Sequence, residues 1–173
     1  MLAADQTVQA IAAAAAYRSE WPLLVICPSS ARYMWRSELR RWLDWENDGM
    51  VWVPTSSQEA RPERAAVCVA SYTVASQMGP RLHGHSVIIA DESQLLKNSR
   101  SLRSRALLPL LRDARRAILL SGTPALSRPS ELFTQLQVLA PRTFSSAKAF
   151  AARYCGGGQA AGVTSSNLPE LHT

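Results

Sequence analysis

Four short apolar runs, each ending on hydroxyl or carboxylate residues, constrain the fold of this chain more than any other feature. Val87-Ile88-Ile89-Ala90 stops at Asp91-Glu92-Ser93-Gln94, and Ala117-Ile118-Leu119-Leu120 stops at Ser121-Gly122-Thr123-Pro124. Pro22-Leu23-Leu24-Val25-Ile26-Cys27 leads into Pro28-Ser29-Ser30, and Ala66-Val67-Cys68-Val69-Ala70 into Ser71-Tyr72. Continuous Val/Ile/Leu runs mark parallel strands covered on both faces, and such sheets bind ligands just beyond the carboxyl ends of their strands. Successive strand residues point to opposite sides. Asp91 and Glu92 are therefore expected to divide the work, one carboxylate holding a magnesium ion while the other orients a water.

Helical patterns fill the gaps between these runs. Thr7 to Tyr17 reads as an alanine-rich helix. Residues 31–43 place Trp35, Leu39, Trp42 and Leu43 at helical spacing as a core stripe, with Arg32, Arg36 and Arg40 on other faces. A weak strand lies near 51–53. A helix is expected over 101–112 with Leu102, Ala106, Leu107, Leu110 and Leu111 as its buried stripe. Ser127, Pro129 and Glu131 start another that runs through Val138 and stops at Pro141. Alternating elements of this kind predict an α/β, three-layer sandwich around a mostly parallel sheet. At 173 residues the chain has room for one core.

Several classes are excluded. The three cysteines, Cys27, Cys68 and Cys155, are odd in number and lack metal-ligand spacing, so reduced, packed thiols are expected. The alanine run from Ala12 to Ala16 has no basic segment before it and reads as an internal helix rather than a secretion signal. No stretch approaches the ~20 apolar residues that cross a bilayer. The charge is unevenly placed. From Lys97 to Arg116 lie Lys97, Arg100, Arg103, Arg105, Arg112, Arg115 and Arg116 against Asp113 alone, an excess equal to the +6 of the whole chain. Following directly on the Asp-Glu pair, this segment is expected to face nucleic-acid phosphates.

In this order, Thr7-Val8-Gln9-Ala10-Ile11, Pro28-Ser29-Ser30, Asp91-Glu92-Ser93-Gln94 and Leu119-Leu120-Ser121-Gly122-Thr123-Pro124 resemble successive helicase motifs of the SNF2 family within superfamily 2. Glu20-Trp21-Pro22, Leu95-Leu96-Lys97-Asn98, Ala114-Arg115-Arg116-Ala117 and Arg153-Tyr154-Cys155 narrow the likeness to the SMARCA-like annealing helicases, and it extends over nearly the whole chain. The resemblance implies a RecA-like lobe over 1–155, with 156–173 as a glycine-rich junction toward a second lobe, and a nuclear location. It also implies ATP and Mg2+ as cofactors and DNA forks or junctions as partners. Asp91 and Thr7 would hold the metal and Glu92 would position the attacking water, while Thr7 and Gln94 would serve the nucleotide. Ser121, Gly122 and Thr123 would couple nucleotide state to DNA grip. Pro28, Ser29, Ser30, Ser71, Tyr72, Lys97, Arg100, Arg103 and Arg105 would contact or support DNA.

The sequence departs from this pattern at its start. A phosphate-binding loop uses glycines so that backbone amides can wrap phosphates, a Lys for the terminal ones and a Ser/Thr for the metal. Ungapped alignment puts Ala3-Ala4-Asp5-Gln6-Thr7 at that loop, without the glycines or the Lys; alternatively, Leu2 to Asp5 corresponds to the segment before it and the glycine-rich part is lost. The chain also stops before the family's second lobe, as expected of a fragment, a partial gene model or a decayed copy. Two readings follow. The chain is either the first motor lobe of an SNF2-type DNA translocase or annealing helicase, without ATPase activity by itself, or a non-catalytic module that binds DNA or protein on the same fold.

Overall fold

The computed structural model of the chain describes residues 2–45, 48–122 and 129–155. Helix α1 (Leu2–Ala15) precedes strand β1 (Leu23–Cys27), in which five consecutive residues are buried. Helix α2 (Arg32–Trp42) and the short β2 (Val51–Trp52) lead to β3 (Val67–Ser71), α3 (Tyr72–Met78) and β4 (Val87–Ala90). Helix α4 (Leu102–Asp113), β5 (Arg116–Leu119), α5 (Phe133–Leu139) and α6 (Ala147–Tyr154) complete the order. The five strands form one sheet in the order β2-β3-β1-β4-β5, and every described pairing is parallel.

The two faces follow from strand alternation. Leu23, Val25, Val67, Val69, Val87 and Ile89 pack with Ala10, Ile11, Ala14, Trp35 and Leu39 from α1 and α2. Leu24, Ile26, Cys68, Ile88 and Ala90 pack on the other side with residues of α3, α4 and α5. This is the expected three-layer sandwich, since a sheet apolar on both faces has to be covered on both. Among the described residues, no helix is long and apolar enough to cross a membrane.

Three expectations need correction. Trp42 is 49% exposed, its indole N–H donating to Glu38 Oε2 at 2.8 Å; Trp35 and Leu39 alone fill the inward stripe of α2. Leu102 is 82% exposed, because Ser101 caps α4 and the inward place in its first turn belongs to Ser104, whose hydroxyl reaches the Leu96 carbonyl at 3.3 Å. The helix expected from the signals at Ser127, Pro129 and Glu131 is, over the described residues, a 3-10 turn at Pro129–Leu132 that becomes α-helical only at Phe133; Ser127 itself lies outside the described residues. Helices α3 and α6 were not expected. Ser71 and Ser146 cap them, accepting the amide hydrogens of Val74 at 3.2 Å and Ala149 at 3.3 Å, and helices of seven and eight residues leave little periodic signal.

Candidate functional site

In a parallel sheet all carboxyl ends face one edge, and the register brings these together: Cys27 of β1 lies opposite Ser71 of β3, and Ala90 of β4 lies opposite Ile26 and Leu119. The chain past β4 is tied down at every step. Asp91 donates its amide to the Ile26 carbonyl at 2.8 Å, and its own carbonyl accepts the Tyr72 hydroxyl at 2.8 Å. The wholly buried Trp35 donates its indole N–H to Asp91 Oδ2 at 2.8 Å. Burial pushes the Asp91 carboxyl above the ordinary aspartate range, with the Trp35 hydrogen bond pulling the other way and the neighbouring Glu92 charge adding to the rise. Burial likewise raises the Cys27 and Cys68 thiols to about 12, so both are packing groups rather than nucleophiles.

Strand β4 ends at Ala90, and Glu92 turns into the left-handed region with φ 54° and ψ 49°. The expected division of the two carboxylates between opposite sides of a strand is therefore corrected. The left-handed turn lets both line a single cleft of about 470 Å³, together with Thr7, Pro28, Ser30 and Gly122. A non-glycine residue in this conformation costs on the order of 1 kcal/mol. From Glu92 a chain of hydrogen bonds crosses to the next strand. The Gln94 amide donates to Glu92 Oε2 at 2.5 Å, and Ser121 donates its hydroxyl to Gln94 Oε1 at 2.7 Å. Beside it, the Ser93 amide donates to the Leu120 carbonyl at 2.8 Å and its hydroxyl to Gln135 Oε1 at 2.7 Å, which anchors α5 to the same junction.

The structure thus brings Thr7, Asp91, Glu92 and Gly122 to one cleft and joins Gln94 and Ser121 behind it; Thr123 lies outside the described residues. Ser71 and Tyr72 are buried and committed to the fold, Ser71 as the α3 cap and Tyr72 beneath Asp91. Ser29 is exposed and passes its carbonyl to Arg32 Nε at 3.2 Å. The basic segment does not form one neighbourhood, which corrects the reading from charge alone. Lys97 pairs with Glu131 at 3.0 Å, while Arg115 and Arg116 pair with Glu20 near the amino end of β5, about 18 Å along α4 from its start. Arg103 lies over the Tyr72 ring at 5.5 Å, and Arg100 and Arg105 are exposed at the carboxyl edge of the sheet.

The oxygens of Asp91 and Thr7, both lining the cleft, are hard donors of the kind magnesium takes. A triphosphate fits less well. None of the described residues lining the cleft is Lys or Arg. The backbone is already helical from Leu2, five residues before the expected start, so amides from Gln6 onward are committed to i→i−4 bonds instead of forming an open loop.

The SNF2-related domain model matches residues 4–157. The chain belongs to the SNF2 family. Relatives include the bovine SWI/SNF-related matrix-associated actin-dependent regulator of chromatin subfamily A-like protein 1, 45% identical over 152 residues covering 87% of this chain. The human DNA annealing helicase and endonuclease ZRANB3 is 38% identical over 157 residues. The chain spans 16% and 15% of the lengths of these two proteins. Among solved structures, the Sulfolobus solfataricus SWI2/SNF2 ATPase core in complex with dsDNA matches 87% of this chain and 32% of its own, with a TM-score of 0.68 and 23% identity, which establishes the shared RecA-like fold.

Sequence reasoning missed two contacts within this SNF2-type site. Trp35 reads only as core, and its indole also holds Asp91; Gln94 reads as a nucleotide contact, and it also bridges Glu92 to Ser121. The recurrence of a polar tip after β5 was the available signal for the second. Nothing in the spacing of 35 and 91 announces the first.

Proposed function

We propose that residues 1–155 form the first motor lobe of an SNF2-type, ATP-dependent DNA translocase of the annealing-helicase kind, working in DNA repair and replication-fork remodelling in the nucleus. Residues 156–173 begin the connection to a second lobe. The observation that carries this reading is the Glu92–Gln94–Ser121 chain: it ties the carboxylate suited to position a water to the polar tip of the next strand. A motor needs that linkage to pass nucleotide state to its DNA-gripping elements. Relatives named as a chromatin regulator and a DNA annealing helicase support the DNA and nuclear parts of the reading. ATP and magnesium enter through the family, with Asp91 and Thr7 for the metal.

A second reading is favoured by one specific feature. With α1 wound through residues 3–6 and no basic residue lining the described cleft, charge neutralisation and positioning of a γ-phosphate lose several kcal/mol of transition-state stabilisation. The chain by itself then acts as a non-catalytic lobe that binds DNA or protein. We expect no measurable DNA-stimulated phosphate release from the purified chain. Release that depends on DNA and disappears in Glu92→Gln would assign the chain an active site and remove the second reading.

A further inference from the structure

Helix α2 carries a second hollow on the side turned away from the sheet. Trp35 and Leu39 point inward, and the opposite stripe of Tyr33, Arg36, Ser37, Arg40 and Arg41 meets Trp45 around a hollow of about 480 Å³. The helix holds four arginines against Glu38, whose carboxylate accepts the Trp42 indole N–H. The Trp45 ring is held in place. Trp21 meets it edge-on with centroids 5.7 Å apart, and the Arg18 guanidinium lies 5.2 Å from its centroid. Tyr33 is 57% exposed at the other end. It follows closely on Ser30 and Met34 is its neighbour, both of which line the carboxylate cleft, so one helix joins the two sites.

We propose that this hollow binds a short stretch of single-stranded DNA, with phosphates against Arg40 and Arg41 and a base stacked on Tyr33 or Trp45. Guanidinium groups interleaved with aromatic rings serve both parts of a nucleotide, whereas an acidic peptide would use the arginines and leave the rings idle. An open hollow lined by aromatic rings can take a splayed base, whereas a duplex keeps its bases stacked inside and offers the rings nothing to stack on. The inference rests on the reading of the chain as a DNA-motor lobe and adds to it a seat for an unpaired strand beside the cleft, as annealing at a junction requires.

The test is fluorescence anisotropy of the whole chain with a labelled oligothymidylate and, separately, a labelled hairpin duplex, with circular dichroism on every variant. Tyr33→Ala and Arg41→Glu are each expected to weaken oligothymidylate binding about tenfold while changing duplex binding far less. Arg100→Glu with Arg105→Glu should do the reverse. Should Arg41→Glu fail to fold, Arg41→Gln is read in its place. Unchanged oligothymidylate affinity in the Tyr33 and Arg41 variants, or equal weakening of both DNA forms, overturns the single-strand seat. Displacement of oligothymidylate by polyglutamate as readily as by unlabelled oligothymidylate reassigns the hollow to an acidic peptide. Duplex binding without single-strand binding defeats this proposal alone, and absence of both defeats the DNA-lobe reading beneath it.

Discussion

The two sides of the cleft have been treated differently. On the strand side, Asp91 is fastened through its amide, its carbonyl and its carboxylate, and Glu92 is wired through Gln94 to Ser121. On the helix side, residues 3–6 show helical backbone where a phosphate-wrapping loop would stand, and Thr7 sits buried one turn inside α1. The contrast teaches that the cleft is firmly built where it presents its acids and offers ordinary helical backbone opposite them. Trp35 and Tyr72, the partners of Asp91, also close the top of the core, so losing either of them would damage the fold.

The sharpest way to break this comparison is at Trp35. Trp35→Ala removes a wholly buried indole and should cost about 3–5 kcal/mol in urea unfolding. Trp35→Phe keeps a ring but deletes the N–H that holds Asp91, and should cost on the order of 1–2 kcal/mol. A Phe variant as stable as the parent would mean that Trp35 serves packing only, and that the strand side is less firmly built than its geometry indicates.

A smaller effect tests the relay. In a double-mutant cycle over Gln94→Ala and Ser121→Ala, the coupling energy is expected at about 0.5–1 kcal/mol. Additive single effects would show that the two side chains are independent.

The smallest effect concerns Asp91 itself. Its carboxyl is raised by burial, so the folded state disfavours the ionised form. At pH below the ordinary aspartate value of about 3.9 the group is protonated in both states and nothing is lost. The destabilisation grows as pH rises from there through the raised folded value, and is constant above it. In metal-free buffer at neutral pH, Asp91→Asn should therefore melt slightly higher than the parent, and that advantage should vanish in acid. A variant that melts lower at neutral pH would make Asp91 a stabilising carboxylate instead of a retained functional one.

Much of this was legible in the residues. The strands announced themselves because a fully buried parallel strand has to be apolar at every position, as Leu23–Cys27 and Val87–Ala90 are. The Asp-Glu pair was legible because such a run can end on charge only at the sheet edge. Leu102 and Trp42 misled because helical spacing near an end counts a residue as inward before the caps and neighbouring turns have been placed. The basic segment misled because charge along a sequence ignores that α4 carries its two ends to opposite edges of the sheet.

The sequence by itself determined the class of fold and the edge of the sheet where acids and hydroxyls gather, since each of these is a local pattern of residue types. Tertiary structure alone decided the strand order β2-β3-β1-β4-β5, the seat of Trp35 on Asp91, the Gln94 bridge to Ser121 and the separation of Arg115 and Arg116 from Arg100 and Arg105. The physical reason is that these contacts join residues tens of positions apart. Their geometry depends on how helices settle against both faces of a sheet, and no local preference along the chain encodes that.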